Sequence, residues 1–327
     1  MALESLKPGR NLALELVRTT EAAAMAAAEW KGRGDKIGAD QAAVDAMRSV
    51  LSGVEMDGIV VIGEGEKDEA PMLYNGESVG TGEPPATDIA VDPIDGTTLT
   101  SLGLAGAIAV IAVADRGAML NPGSAVYMEK VAVGPEGAGI VDIRLPVDRN
   151  LTALAKAKGK AVSELTAVVL DRPRHDDLIA EIRACGARIR LIPDGDIAGA
   201  IATAWPESGA DILIGIGGTP EGVITAAALK AMGGDLQGRL WPRSDDERAI
   251  LLDEGHDLDK ILTLDDLVSG NDSFFAATGI TSGDLLRGVQ VTSEGTTTQS
   301  LVMRSRSGTV RLIEATHRQE KVDSITA

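Results

Sequence analysis

Acidic side chains gather in three short loops, each behind an apolar run. Glu64 lies in Gly63-Glu64-Gly65-Glu66-Lys67-Asp68-Glu69, directly after Ile59–Ile62. Asp92 and Asp95 lie in Asp92-Pro93-Ile94-Asp95-Gly96-Thr97-Thr98, directly after Ile89–Val91. Glu221 lies in Gly217-Gly218-Thr219-Pro220-Glu221-Gly222, after Asp211–Ile216. Oxygen ligands arriving from separate loops suit hard divalent cations such as Mg²⁺ and Mn²⁺. In the second loop Pro93 fixes a turn, so Asp92 and Asp95 can reach one ion, or two adjacent ions, from its two sides. The Ile94 carbonyl lies between them as another oxygen, Gly96 permits close backbone approach, and Thr97 supplies a hydroxyl. A helix opening at Gly96-Thr97-Thr98 would offer free N–H groups to a phosphate. Cations here would offset the acidic charge, polarise a phosphoryl oxygen and lower the pKa of bound water. Asp-Pro and Asp-Gly are also common turn dipeptides, and acidic loops are often merely solvated. It is the recurrence of three such loops at strand ends that favours a site.

Other chemistries lack their residues. No G-x-x-x-x-G-K-[ST] string exists, and the third glycine of a dinucleotide fingerprint starting at Gly215 would fall on Pro220. His175, His256 and His317 are in no zinc-ligand spacing, and surface or packing roles are the default for each. No G-x-S-x-G elbow supports a serine nucleophile.

The loops need elements to hold them. Apolar spacing predicts a helix over residues 11–30, capped by Asn11 and broken by Gly32-Arg33-Gly34-Asp35. A second helix is expected after Asp40, with Val44, Met47 and Leu51 on one face. Ile59–Ile62, Ile89–Val91 and Ala107–Val113 read as buried strands. Beyond about residue 150, strands at 167–170, 188–192 and 211–216 alternate with helices at 175–184, 196–204 and 220–232, which predicts an α/β layered sheet. Residues 274–315, rich in Thr and Val, read as further strands. The change of pattern near 150 separates an N-terminal half (11–150), carrying the first acidic loops, from a C-terminal half (151–327). The two are expected to form one catalytic unit.

Composition agrees with a folded layered protein. Of 327 residues, 44% are apolar, with only three Trp, two Tyr and two Phe, so small and β-branched residues suit buried parallel strands under helices. The net charge of −18 argues against nucleic acid as a partner. It also means that an anionic substrate would need metal ions between it and the protein. Met1 to Pro8 hold no apolar signal core, and Leu104–Ala114 is too short to cross a bilayer. The single cysteine, Cys185, reads as a buried position on an amphipathic helix in a reducing compartment. The expectation is a soluble cytoplasmic protein with no membrane partner.

Asp92-Pro93-Ile94-Asp95-Gly96-Thr97 resembles the metal motif of the lithium-sensitive sugar and inositol phosphatases. Longer strings resemble class II fructose-1,6-bisphosphatases: Gly32–Lys36, Ile62–Leu73, Pro173-Arg174-His175, Pro193–Asp196, Gly215–Val223, Ala277–Thr281 and Gly283–Leu286. The resemblance runs from about residue 11 to residue 317. It implies an α/β/α/β/α sandwich and removal of the 1-phosphate of fructose 1,6-bisphosphate in gluconeogenesis, with Mg²⁺ or Mn²⁺. It implies Asp40, Glu64, Asp92, Asp95 and Glu221 as metal ligands, Asp40 being otherwise readable as a helix N-cap. Position 95 is glutamate in some similar proteins, and position 172 lysine. Asp95, Gly96 and Thr97 would hold the reacting phosphate, with Thr97, Asp95 and Glu64 in the chemistry. Tyr127, Arg172, Pro173, Arg174, Asp194, Gly195, Asp196 and Gly218 would hold the sugar and distal phosphate. Arginine forks suit phosphate oxygens, and aspartates accept from sugar hydroxyls. A homo-oligomer, dimer or tetramer, is implied too. Alternatives are a broader sugar bisphosphatase that also takes sedoheptulose 1,7-bisphosphate, an inositol monophosphatase, or a catalytically dead sugar-phosphate sensor. The two arginines argue against inositol monophosphate, which has no second phosphate.

Overall fold

Two helices come first in the structure, a computed structural model that describes residues 12–65 and 72–318. Helix α1 (Leu12–Ala28) follows the expected apolar spacing. Helix α2 (Lys36–Leu51) begins earlier than expected, because Asp35 is its cap and accepts the Gly38 N–H at 2.9 Å. Asp40 therefore sits one turn inside the helix and caps nothing. Asn11 and Glu66 to Glu69 lie outside the described residues.

Next come β1 (Asp57–Ile62), β2 (Ser78–Val79), β3 (Ala86–Asp95), the short helix α3 (Thr97–Leu102) and β4 (Ile108–Asp115). The Asp92–Asp95 motif is thus the bulged end of β3 rather than a loop behind it. Its register against β4 slips between Asp92 and Asp95, where Pro93 has no N–H to donate. The chain continues through β5 (Tyr127–Val133), α4 (Val147–Lys158), β6 (Thr166–Leu170), α5 (Asp176–Ala184) and β7 (Arg188–Ile192). Then follow α6 (Asp196–Ala202), β8 (Ile212–Gly218), α7 (Thr219–Met232), β9 (Asp235–Leu240) and α8 (Asp245–Asp253). Four strands close the chain: β10 (Ser273–Gly279), β11 (Gln290–Thr292), β12 (Gly295–Arg304) and β13 (Thr309–His317).

These strands make two sheets, one in the order β11-β12-β10-β4-β3-β1-β2 with β13 on β12, the other β7-β6-β8-β5-β9. The composition suited parallel strands, but parallel pairing is confined to β1 with β3 and to β6 with β7 and β8. The other pairs are antiparallel, as short returns such as that from β12 to β13 require. Helices α1 and α2 cover one face of the first sheet through Leu16, Ala23, Met47 and Leu51. Helices α4 and α5 cover the far face of the second through Leu151, Leu154 and Ile182. Between the sheets, α7 is buried on every side, and its Ala226, Ala227 and Ala228 are small enough to let both sheets close on it. The result is the α/β/α/β/α sandwich. Cys185 is half-buried at the end of α5 rather than fully buried.

Candidate active site

One cleft of about 380 Å³ opens where the C-terminal ends of β3 and β8 meet the start of β5. Asp95, Tyr127, Arg172, Arg174, Asp194, Gly195, Asp196, Gly218 and Glu221 all line it. Gly63 and Gly65, which flank Glu64, line it too.

Two strand ends exchange hydrogen bonds at its floor. Gly96, held at φ 99°, turns the chain from β3 into α3, as only a residue without Cβ does readily. Gly195, at φ 77°, does the same between β7 and α6. The Thr98 N–H then donates to Asp194 Oδ2 at 3.2 Å, and the Ala198 N–H donates to Asp95 Oδ2 at 3.3 Å. Each helix start therefore holds the acid that precedes the other helix. The Thr98 N–H, expected to face a phosphate, is already engaged.

Five carboxylates form one group here: Asp95 and Glu221 line the cleft, whereas Asp40, Glu64 and Asp92 lie outside its lining but close enough for their charges to act on this group. The Thr97 hydroxyl is 3.1 Å from Asp40 Oδ1 and 3.3 Å from the Ile94 carbonyl, and its single proton serves one of them well. Asp92 Oδ1 accepts the Ile94 N–H at 3.0 Å. Burial, then the nearby Asp95, Glu64 and Glu221 charges, hold the Asp92 carboxyl well above the usual range. Asp95 is raised likewise by burial and by Asp196 and Glu221. Glu221 is raised by burial and Asp196 against the opposing charge of Lys130, and Asp40 by burial against the Thr97 hydrogen bond and the charge of Lys36. Glu64 is exposed at the rim, yet lost hydration and the fields of Asp40 and Glu221 push it up to about 7, against the screening of the water that reaches it.

Among the described residues none of these five forms an ion pair with a lysine, arginine or histidine within 4.0 Å. Glu221 Oε2 is buried with no hydrogen-bond partner, pressed against the spot where a Gly218 side chain would begin. A buried acceptor without a donor, amid uncompensated carboxylates, fits a hard divalent cation. No three acidic, cysteine or histidine side chains of the described residues converge tightly enough to hold one ion as they stand.

The arginines of the cleft are internally tied. Arg172 donates to the Pro193 carbonyl at 2.6 Å and stands 3.8 Å from Asp194. Arg174 donates to the Ile216 carbonyl at 2.8 and 3.2 Å, and its Cζ lies 5.1 Å from the centre of the Tyr127 ring. Pro173 starts the 3₁₀ turn that separates the two arginines. His175, 1% exposed, locks that turn to β8 by accepting the Ile216 N–H at Nε2 and donating from Nδ1 to Leu170, both at 2.7 Å. Its packing role is therefore also a scaffold for the arginines.

Residues 10–317 match the family described as bacterial fructose-1,6-bisphosphatase, glpX-encoded. The chain belongs to that family. It is 49% identical to fructose-1,6-bisphosphatase 1 class 2 of Escherichia coli K12, with 96% of this chain and 97% of that one covered. The class 2 fructose-1,6-bisphosphatases of Escherichia coli O6:H1 and Shigella flexneri match with the same identity and coverage.

In this glpX-family chain Asn75 also lines the cleft, and four residues around the cleft, passed over by sequence reading, touch groups of the site. Lys130 is 2% exposed and pairs with Asp196 at 2.7 Å. It shares the inward face of β5 with Met128 and Ala132, and a lysine in that apolar register was the available signal. The Arg243 Cζ also lies over the Tyr127 ring, 5.4 Å from its centre, and Trp241 meets the same ring edge-on at 6.3 Å. No local pattern marks Arg243. Asn75 accepts the Gly63 N–H at 2.9 Å and so shapes the Glu64 turn. Lys36 donates to Thr98 Oγ1 at 2.8 Å.

Proposed function

We propose that this chain hydrolyses the 1-phosphate of D-fructose 1,6-bisphosphate to fructose 6-phosphate and phosphate, as a divalent-cation-dependent enzyme of gluconeogenesis. The observation that carries the reading beyond family membership is the polarity of the cleft. Asp95 and Glu221, with no ion-pair partner among the described residues, line the same cleft as Arg172 and Arg174. A sugar with a phosphate at each end is the ligand that uses both.

Asp40, Glu64, Asp92, Asp95 and Glu221 would hold Mg²⁺ or Mn²⁺, whose chemistry when bound is to make water a better nucleophile and to offset phosphoryl charge. Asp95, Gly96 and Thr97 border the reacting phosphate. Thr97 Oγ1 orients the attacking water and can pass a proton toward Asp40, with which it already shares a hydrogen bond. Water oxygen bonds to phosphorus as the bond to the sugar oxygen breaks, and that oxygen takes up a proton. Arg172 and Arg174 grip the distal phosphate, and Tyr127, Asp194 and Asp196 face the sugar hydroxyls, with Gly195 and Gly218 leaving room. Positioning and charge do the rest.

The reading carries with it a single catalytic unit in a cytoplasmic homo-oligomer, a dimer or tetramer, which sedimentation tests. Among the described residues no helix is long and apolar enough to cross a membrane. The first experiment is phosphate release from fructose 1,6-bisphosphate with and without Mn²⁺ or Mg²⁺, beside sedoheptulose 1,7-bisphosphate and inositol 1-phosphate. Metal-dependent turnover of the fructose substrate is expected. Equal turnover of the sedoheptulose substrate would broaden the assignment, and silence on all three by folded, metal-loaded protein would overturn it.

A further inference from the structure

Asp196 stands at a border. Its charge is the leading carboxylate field on both Asp95 and Glu221. It also starts α6 and lines the cleft between Asp194 and Glu221. By location it could serve the cation cluster or the sugar. The structure differentiates it from the five cluster carboxylates in one respect: it has a protein cation of its own.

That cation is Lys130, whose Nζ sits 2.7 Å from Asp196 Oδ2 and donates to the Gly218 carbonyl at 3.0 Å. The contact to Oδ2 is ionic and lacks hydrogen-bond alignment, and the atom is sealed from water. Gly217 makes the arrangement possible, because the Asp196 carboxylate and the Lys130 terminus fill the space its Cβ would need. One ammonium group thereby joins the start of α6 to the last residue of β8, just ahead of the turn of α7 that carries Glu221. No protein group among the described residues hydrogen-bonds to Asp196 Oδ1.

We propose that Lys130 is the positioning residue that reserves Asp196 for the substrate's sugar, holding one carboxylate oxygen so that the acid stays out of the cation cluster and presents the other to a hydroxyl. The inference rests on the function proposed above. Remove the ammonium charge, and Asp196 becomes one more uncompensated carboxylate beside Glu221. It is then free to bind a divalent ion.

The test is a double-mutant cycle of Lys130→Met and Asp196→Asn, read by steady-state kinetics, thermal melting and calorimetric titration with Mn²⁺ alone. Lys130→Met is expected to raise KM for fructose 1,6-bisphosphate about tenfold, the loss of one charge-assisted hydrogen bond, while kcat changes less. It is also expected to tighten Mn²⁺ binding. Asp196→Asn alone is expected to raise KM similarly without tightening Mn²⁺. The double variant should regain thermal stability and bind Mn²⁺ less tightly than Lys130→Met. It need not return to the wild-type affinity, because Lys130 also acts on Glu221. It should keep the high KM, so the two KM effects do not add. If the double variant recovers KM together with stability, Lys130 only neutralises a buried charge and the proposal fails. Unchanged KM or weakened Mn²⁺ binding in a folded Lys130→Met protein overturns it as well. Should Lys130→Met not fold, Asp196→Asn and the double variant still decide by KM. Wild-type protein that neither binds Mn²⁺ nor turns over the bisphosphate would instead sink the underlying function.

Discussion

The two groups of charges at the cleft solve opposite electrostatic problems. Around the arginines each of three cations has a partner within the protein: Arg172 with Asp194 and a carbonyl, Arg174 with a carbonyl and the Tyr127 ring, Lys130 with Asp196. That group is organised before any ligand arrives, which limits the ordering cost of binding. The acids Asp40, Glu64, Asp92, Asp95 and Glu221 share no ion pair with a protein cation among the described residues, and each has its carboxyl raised by burial. On the proposed roles, the paired group serves recognition and the unpaired acids the chemistry, so changes in the two groups should separate KM from kcat.

The sharpest break falls on the unpaired acids. Glu221→Gln is expected to cut phosphate release about a thousandfold or more at saturating Mn²⁺, because a ligand charge is lost where charge develops. The same change removes one buried carboxylate from a repelling cluster, so the metal-free protein should melt higher than wild type. A variant that is both slower and less stable without metal would place Glu221 in ordinary packing. Thr97→Ala comes next. Its hydroxyl touches Asp40 and no residue of the paired group, so kcat should fall about a hundredfold with KM little changed. Near wild-type turnover would remove Thr97 from the chemistry.

The same division governs what could be read from the sequence. The strand ends at or near Glu64, Asp92, Asp95 and Glu221 were legible because a glycine or proline stands beside each acid. The alternation from β6 to α7 was legible because apolar period and turn residues agree there. Asp40 was not legible from its own surroundings. It lies inside α2, and its role depends on Thr97, which the fold brings to it from another element. The start of α2 was misjudged because Asp35 in Gly32-Arg33-Gly34-Asp35 read as a helix breaker, while its side chain caps the next helix. Lys130 and Arg243 depend wholly on long-range pairing, with Asp196 and with the Tyr127 ring. The mixed strand directions were missed because apolar strands bear no mark of the direction of their neighbours.

In the paired group the expected effects are smaller and fall on binding. Arg174→Ala should raise KM for fructose 1,6-bisphosphate roughly 10- to 100-fold, the range for losing a hydrogen bond to a charged group, with kcat within severalfold of wild type. Steady-state kinetics on the bisphosphate decide it. A fall in kcat with KM unchanged would mean that Arg174 serves the reacting phosphate, and the division between the two groups would collapse.

The smallest effect concerns stability without metal. The Glu64 carboxyl sits near 7 in the folded protein against 4.5 ordinarily, and the other four carboxyls are raised as well. A carboxyl raised on folding means that the native state holds more protons than the unfolded chain between those two values. Stability must then fall as pH climbs through that window. Melting in a chelator should therefore drop by a few degrees between pH 5 and about 8, modestly because water reaches Glu64. With Mg²⁺ present the ionised carboxylates gain a partner, and the slope should flatten or reverse. Metal-free protein whose melting point rises over that range would show that these acids are already compensated from within, and the contrast between the two groups would lose its physical basis.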